Sequence, residues 1–200
     1  MCNFLDFDNL TDKDFFRILV LGLDSSGKST LINYLCGRGF NPKTKKTHGM
    51  EVSHFFFEEY PIMFLDIGGM RVFQLTLWKG ALDEPERISA ILYVVDSAAN
   101  KRFEDDLTAF TLILDDPQIN QVPVLVVANK IDLLNNVNVA GQLALSLDLI
   151  ELKTRQPERE ISHIAISVKS GENIEYLLEW VYRAIQKKAK EKQYKEELLS

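Results

Sequence analysis

The chain has 200 residues, 46% hydrophobic and 26% charged, which suits one globular domain and excludes a largely disordered or collagen-type sequence. Its 29 acidic residues outnumber 23 basic ones, a net charge of −6 that argues against a sequence-independent grip on nucleic acid. No run approaches the ~18 consecutive apolar residues of a membrane span, and Asp6, Asp8, Asp12 and Asp14 stand where a signal peptide needs a basic start.

In chain order, residues 1–14 read as an acidic extension with scattered Phe and Leu. Residues 15–23 read as a first buried strand and 27–36 as the helix after it. A hairpin follows, with strands over 52–58 and 62–66 and a turn near Glu59-Tyr60-Pro61. Runs rich in Val, Ile and Leu at 88–95, 122–128 and 161–166 read as further strands buried on both faces. Helices are expected over 102–114, 139–147 and 172–190; in the last, Ile174, Leu177, Leu178, Val181 and Ile185 recur at helical spacing. This alternation predicts a three-layer α/β domain, with about six mostly parallel strands and helices on both faces. Residues 187–200 read as a charged tail. On such sheets ligands bind beyond the carboxyl ends of the strands.

Two motifs stand in those loops. The first is Gly22-Leu23-Asp24-Ser25-Ser26-Gly27-Lys28-Ser29, a phosphate loop between a predicted strand and a predicted helix. Its glycines let successive N–H groups face a phosphate, and the helix adds the positive end of its dipole. Lys28 supplies a point charge for the β- and γ-phosphates, and Ser29 a hydroxyl for Mg²⁺. The second motif, Asn129-Lys130-Ile131-Asp132, selects the base. A carboxylate at Asp132 accepts from both N1–H and the 2-amino group of guanine, whereas adenine would leave it unpaired. Asn129 is expected to brace the phosphate loop, and Lys130 to lay its stem along the base.

These motifs, in this order, resemble the Ras-type small GTPases. Three features narrow the resemblance to the ADP-ribosylation factor and factor-like family: Asp24 in the phosphate loop, the run Leu65-Asp66-Ile67-Gly68-Gly69, and the 19 positions from Thr47 to Asp66. Val94-Val95-Asp96-Ser97 is also similar to the family's fourth strand. The resemblance runs from about Phe15 to Gln186, which divides the chain into an extension (1–14), a GTPase domain (15–186) and a tail (187–200). It implies a P-loop GTPase fold, with Asp24, Ser25, Ser26, Gly27, Lys28, Ser29 and Thr30 on the phosphates. Thr47 would be the switch I threonine and a ligand of Mg²⁺ beside Ser29, with Thr44 as its competitor. Asp66 would hold Mg²⁺ through water, and the Gly69 N–H would touch the γ-phosphate. Ser167-Val168-Lys169 resembles the motif that backs the guanine. GTP and GDP are the implied ligands, and effectors, an exchange factor and an activating protein the implied partners. A monomer is expected.

The chain departs from the family at two places. Met70 follows Gly68-Gly69 where active relatives carry the Gln that orients the attacking water. Methionine has no donor and only a weak thioether acceptor. With Lys28 and Gly69 kept at the catalytic corner, two readings follow: a very slow GTPase that relies on a helper protein, or a GTP-bound scaffold. Gln74 lies four residues on, and Arg71 is expected to point away. The chain also begins Met1-Cys2 where N-myristoylation requires Gly, and it ends without a prenylation box. A cytoplasmic protein is expected, with residues 1–14 packed on the domain in preference to peripheral membrane contact through Phe4, Leu5, Phe7 and Leu10. Cys2 and Cys36 make no disulfide framework, and Cys36 is expected to be buried in the first helix. His48, His54 and His163 show no metal spacing, and Trp78 and Trp180 read as core.

Overall fold

The computed structural model describes residues 10–69, 84–99, 102–134 and 138–199. Six strands form one sheet: β1 (Phe16–Leu21), β2 (Met50–Phe57), β3 (Tyr60–Ile67), β4 (Ile88–Asp96), β5 (Val124–Asn129) and β6 (Ile161–Ala165), in the order β2-β3-β1-β4-β5-β6. Every pairing is parallel except the antiparallel β2–β3 hairpin. The helices are α1 (Lys28–Leu35), α2 (Phe103–Leu114), α3 (Val139–Ser146), α4 (Leu149–Arg155) and α5 (Ile174–Leu199).

Alternation along the central strands explains the three layers. Leu19 and Leu21 of β1, Ile91, Tyr93 and Val95 of β4, and Val124 and Val126 of β5 face one side, with Phe110 of α2 and Leu143 of α3. Ile18 and Val20, Leu92 and Val94, and Leu125 and Val127 face the other, with Leu31 of α1 and Leu177, Val181 and Ile185 of α5. Each such side chain contributes roughly 1.5–3 kcal/mol by leaving water. Trp180 is core, as expected, and its indole N–H donates to Glu160 at 3.0 Å.

Four details differ from the sequence expectations. The hairpin turns at Glu58 and Glu59, Glu58 taking φ 50°, so Tyr60 and Pro61 already belong to β3. Pairing with β1 starts only at Ile62, so the missing N–H of Pro61 falls outside that ladder. A short extra helix, α4, follows Asp148, whose φ of 49° breaks the path from α3. Helix α5 runs nine residues past 190, because its charged last turns are good helix formers and pair along the surface, as Gln193 does with Glu197 at 3.0 Å. Cys36 is half-buried at the end of α1, with its Sγ 3.9 Å from the His54 carbonyl oxygen.

Residues 10–14 lie on the body of the domain. Leu10 packs against the core, and Thr11–Asp14 form a capped turn. Asp12 pairs with Arg17 of β1 at 2.6 Å and Arg87 at 3.0 Å, and Glu84 joins both arginines. No helix among the described residues is long and apolar enough to cross a membrane.

Candidate functional site

β3 pairs with one edge of β1 and β4 with the other, so the loop after β1 opens where the strand order reverses. That loop is the phosphate motif, and it feeds directly into α1. Its Gly27 sits at φ 97°, and a Cβ there would lie 2.4 Å from the Asn129 amide nitrogen. The loop borders a cavity of about 370 Å³, also lined by residues after β3, β5 and β6 and by Phe40, Pro42, Thr44, Lys45, Lys46 and Thr47.

Lys28 is 6% exposed and donates to the carbonyls of Gly22 and Leu23, 3.0 Å each. Burial draws its pKa down, while the nearby charges of Asp66 and Asp24 oppose that. The ammonium is thus fixed inside the curl of the loop, where an anion would meet it.

Three oxygens meet beside it. The Ser29 hydroxyl donates to Asp66 Oδ2 at 2.5 Å and lies 2.9 Å from Thr47 Oγ1, and Thr47 reaches the same carboxylate at 3.3 Å. Burial raises the Asp66 pKa against the pull of Ser29, Lys28 and Thr47, and its Oδ1 is buried with no hydrogen-bond partner. Hard oxygen donors with one carboxylate oxygen to spare fit a small cation such as Mg²⁺. Thr44 instead lies 3.2 Å from the Thr30 hydroxyl. Among the described residues no group of three His, Cys, Asp or Glu could hold a metal.

Gly69 enters from β3. A Cβ on it would lie 2.3 Å from the Asp24 nitrogen, so only glycine lets this backbone rest on the phosphate loop. Met70, Arg71, Gln74 and Trp78 lie outside the described residues.

The other end is built by β5 and β6. Asn129 Nδ2 donates to the Ser26 carbonyl at 2.9 Å, and its Oδ1 accepts from the N–H groups of Lys130 at 2.8 Å and Val168 at 3.3 Å. One amide therefore joins three loops. Lys130, at φ 70°, sends its ammonium to the Ser25 carbonyl at 2.6 Å and Asp96 at 2.7 Å, leaving its stem along the cavity wall. Asp132 Oδ1 accepts from the Ser167 hydroxyl at 2.7 Å, and Lys169 lies 3.5 Å from Oδ2.

Thus Asp24, Ser25, Gly27, Lys28, Ser29, Thr30, Thr47, Gly69, Asn129, Lys130, Asp132, Val168 and Lys169 line one cavity. Ser26 and Ser167 stand behind its wall, 1% and 0% exposed; the first offers its carbonyl to Asn129 and the second steers Asp132. Sequence reasoning missed Leu133, Phe40, Lys45, Lys46 and Arg102, which donates to the Asp24 carbonyl at 2.6 Å. Leu133 could have been found as the neighbour of Asp132; Phe40 and Lys45 stand in no motif.

A phosphate loop at the reversal point of a parallel sheet, braced from the β5 loop, defines a P-loop nucleotide-binding protein. The model of the ADP-ribosylation factor family matches residues 4–185. ADP-ribosylation factor-like protein 3 of Chlamydomonas reinhardtii is 31% identical over 169 residues, 84% of this chain and 90% of that protein. The Arl6 BBS3 small GTPase of Trypanosoma brucei, solved with bound nucleotide analogue GppNp, matches with a TM-score of 0.72 over 86% of this chain and 98% of that one. At 24% identity that likeness speaks for the fold alone. The chain belongs to the ADP-ribosylation factor family of small GTPases, a family of guanine-nucleotide-binding switches.

Proposed function

We propose that the protein binds GTP and GDP with Mg²⁺ in this cavity and turns GTP over very slowly. The observation that carries the reading is the Asp132 carboxylate, aimed by Ser167 and joined to the phosphate loop through Asn129. Asp132 takes the two N–H groups of guanine, Lys130 and Leu133 flank the base, and Lys28 and the loop amides hold the phosphates. Ser29 and Thr47 are the hydroxyls, and Asp66 the carboxylate, that would hold Mg²⁺. The metal neutralises charge on the phosphates when bound. Residues 15–186 carry this chemistry, with 1–14 and 187–200 as appended segments. Partners meet the switch surface around Thr47 and Gly69: effectors, an exchange factor and an activating protein.

The Met70 side chain supplies no donor to a water, so positioning of the nucleophile is the missing element. The same residue favours a second reading, a scaffold that keeps GTP and seldom hydrolyses it. Nucleotide extracted from the purified protein and resolved into GTP and GDP tests binding. Single-turnover hydrolysis then separates the two readings: a rate near the ~10⁻⁴ s⁻¹ of unassisted Ras, raised by Met70→Gln, supports the slow switch. No turnover in either protein supports the scaffold, and brisk native turnover removes both.

A further inference from the structure

The segment that carries Thr47 brings a lysine, Lys46, to the mouth of the nucleotide cavity. The run there reads Lys46-Thr47-His48-Gly49. Lys46 therefore precedes the threonine that touches Ser29 and Asp66, with its Cα about 3.8 Å from that residue's. Its ammonium lies 2.6 Å from Asp24 Oδ2 across the cavity mouth, and both residues line the cavity. Asp24 is also the residue on which Gly69 rests. Lys46 thus stands at the corner formed by Thr47, Gly69 and the phosphate loop, away from Asp132.

We propose that Lys46 is a specificity-determining residue of the nucleotide site, a cation held in reserve by Asp24 and handed to the terminal phosphate of a triphosphate. The inference rests on the guanine-nucleotide reading above and deepens it. Lys46 is 62% exposed and Asp24 29%, and ion pairs exposed to this degree are weak and readily exchanged. A terminal phosphate carries more charge than one carboxylate and offers several acceptors, so it competes well for the ammonium. A diphosphate ends short of this corner and leaves Lys46 on Asp24. The pair therefore adds a positive contact in the triphosphate state alone.

The test is competition titration of GTPγS and GDP against the full chain with Mg²⁺. Lys46→Ala is expected to lower the affinity ratio of GTPγS over GDP about tenfold, the scale of one charge-assisted contact, and Lys46→Arg to keep it. Asp24→Asn, which keeps the shape and removes the competing charge, is expected to raise the ratio. In that background Lys46→Ala is expected to cost more than in the native chain. Added salt should shrink the Lys46 effect. Thermal melts check that each variant is folded. Equal weakening of both nucleotides by Lys46→Ala and by Asp24→Asn would make the pair a mere strap and overturn the proposal, as would no effect of Lys46→Ala. A native chain that binds neither nucleotide would instead remove the reading beneath it.

Discussion

The guanidinium of Arg102, at the entrance to α2, donates to the main-chain oxygen of Asp24 at 2.6 Å. Two helix layers thereby meet at the phosphate loop: α1 grows out of it, and α2 holds it from the opposite face of the sheet. Hydrogen bonds from charged groups are worth about 1.5–3 kcal/mol. Arg102→Ala is therefore expected to weaken GDP binding by about tenfold or more, read by competition titration. Unchanged affinity would show that the loop keeps its shape without α2.

Asp132 is expected to control the base. Asp132→Asn exchanges one acceptor for a donor, so affinity for GDP should fall on the order of 100-fold while xanthosine diphosphate gains. Ser167→Ala should cost about tenfold through loss of the hydroxyl that aims the carboxylate. Binding assays with GDP, XDP and ADP decide this; equal affinity for ADP and GDP in the native chain would contradict it.

Gly69 offers a steric test. A methyl group there meets the backbone of Leu23 and Asp24 at 2.3–2.7 Å, and neither can yield as a flexible side chain would. Gly69→Ala should lift the end of β3 off the phosphate loop and weaken GTPγS more than GDP. A variant that keeps the native ratio of the two affinities would show that this approach is dispensable.

Much of this architecture is written in local pattern. Strands such as Val124–Asn129 are legible because both faces are buried and the chain runs apolar without a break. The phosphate loop and Asn129-Lys130-Ile131-Asp132 are legible because a backbone curl and a base edge each demand fixed residue types. Helix α4 was not, since it depends on the left-handed Asp148 and on Leu149 and Leu152 finding the core. Nor was the part played by Ser167 behind Asp132, which exists only once β6 lies beside β5. Lys46 was invisible for another reason: its partner is 22 positions away, and no periodicity announces an ion pair.

Stability should depend on pH through Asp106. This α2 carboxyl is 3% exposed and accepts from the Tyr93 hydroxyl at 3.3 Å. Burial raises its pKa to about 7, against the pull of Tyr93, Arg102 and Lys28. In the unfolded chain an aspartate titrates near ~3.9. The folded state holds this proton more tightly, so its contribution to stability falls as pH rises from ~4 to about 7 and then levels off. Asp106→Asn removes that slope, and its stability relative to the native protein should rise by up to about 3 kcal/mol between pH 5 and pH 8. Urea unfolding at the two pH values measures it, and an unchanged difference would count against a buried, protonated Asp106.

The bond from Asn129 to the Ser26 carbonyl spans 103 positions of sequence. During synthesis the phosphate loop leaves the ribosome long before the residue that braces it. At the ~5–20 residues per second of translation, the delay is roughly 5–20 s. Val168, which fixes the other side of the same amide, arrives 39 positions later still. A nascent chain therefore carries a complete phosphate motif before the amide that ties it to the β5 and β6 loops has been made. The ability to retain a nucleotide arrives late, when β5 and β6 have joined the sheet, and a chain stopped before residue 160 should not acquire it.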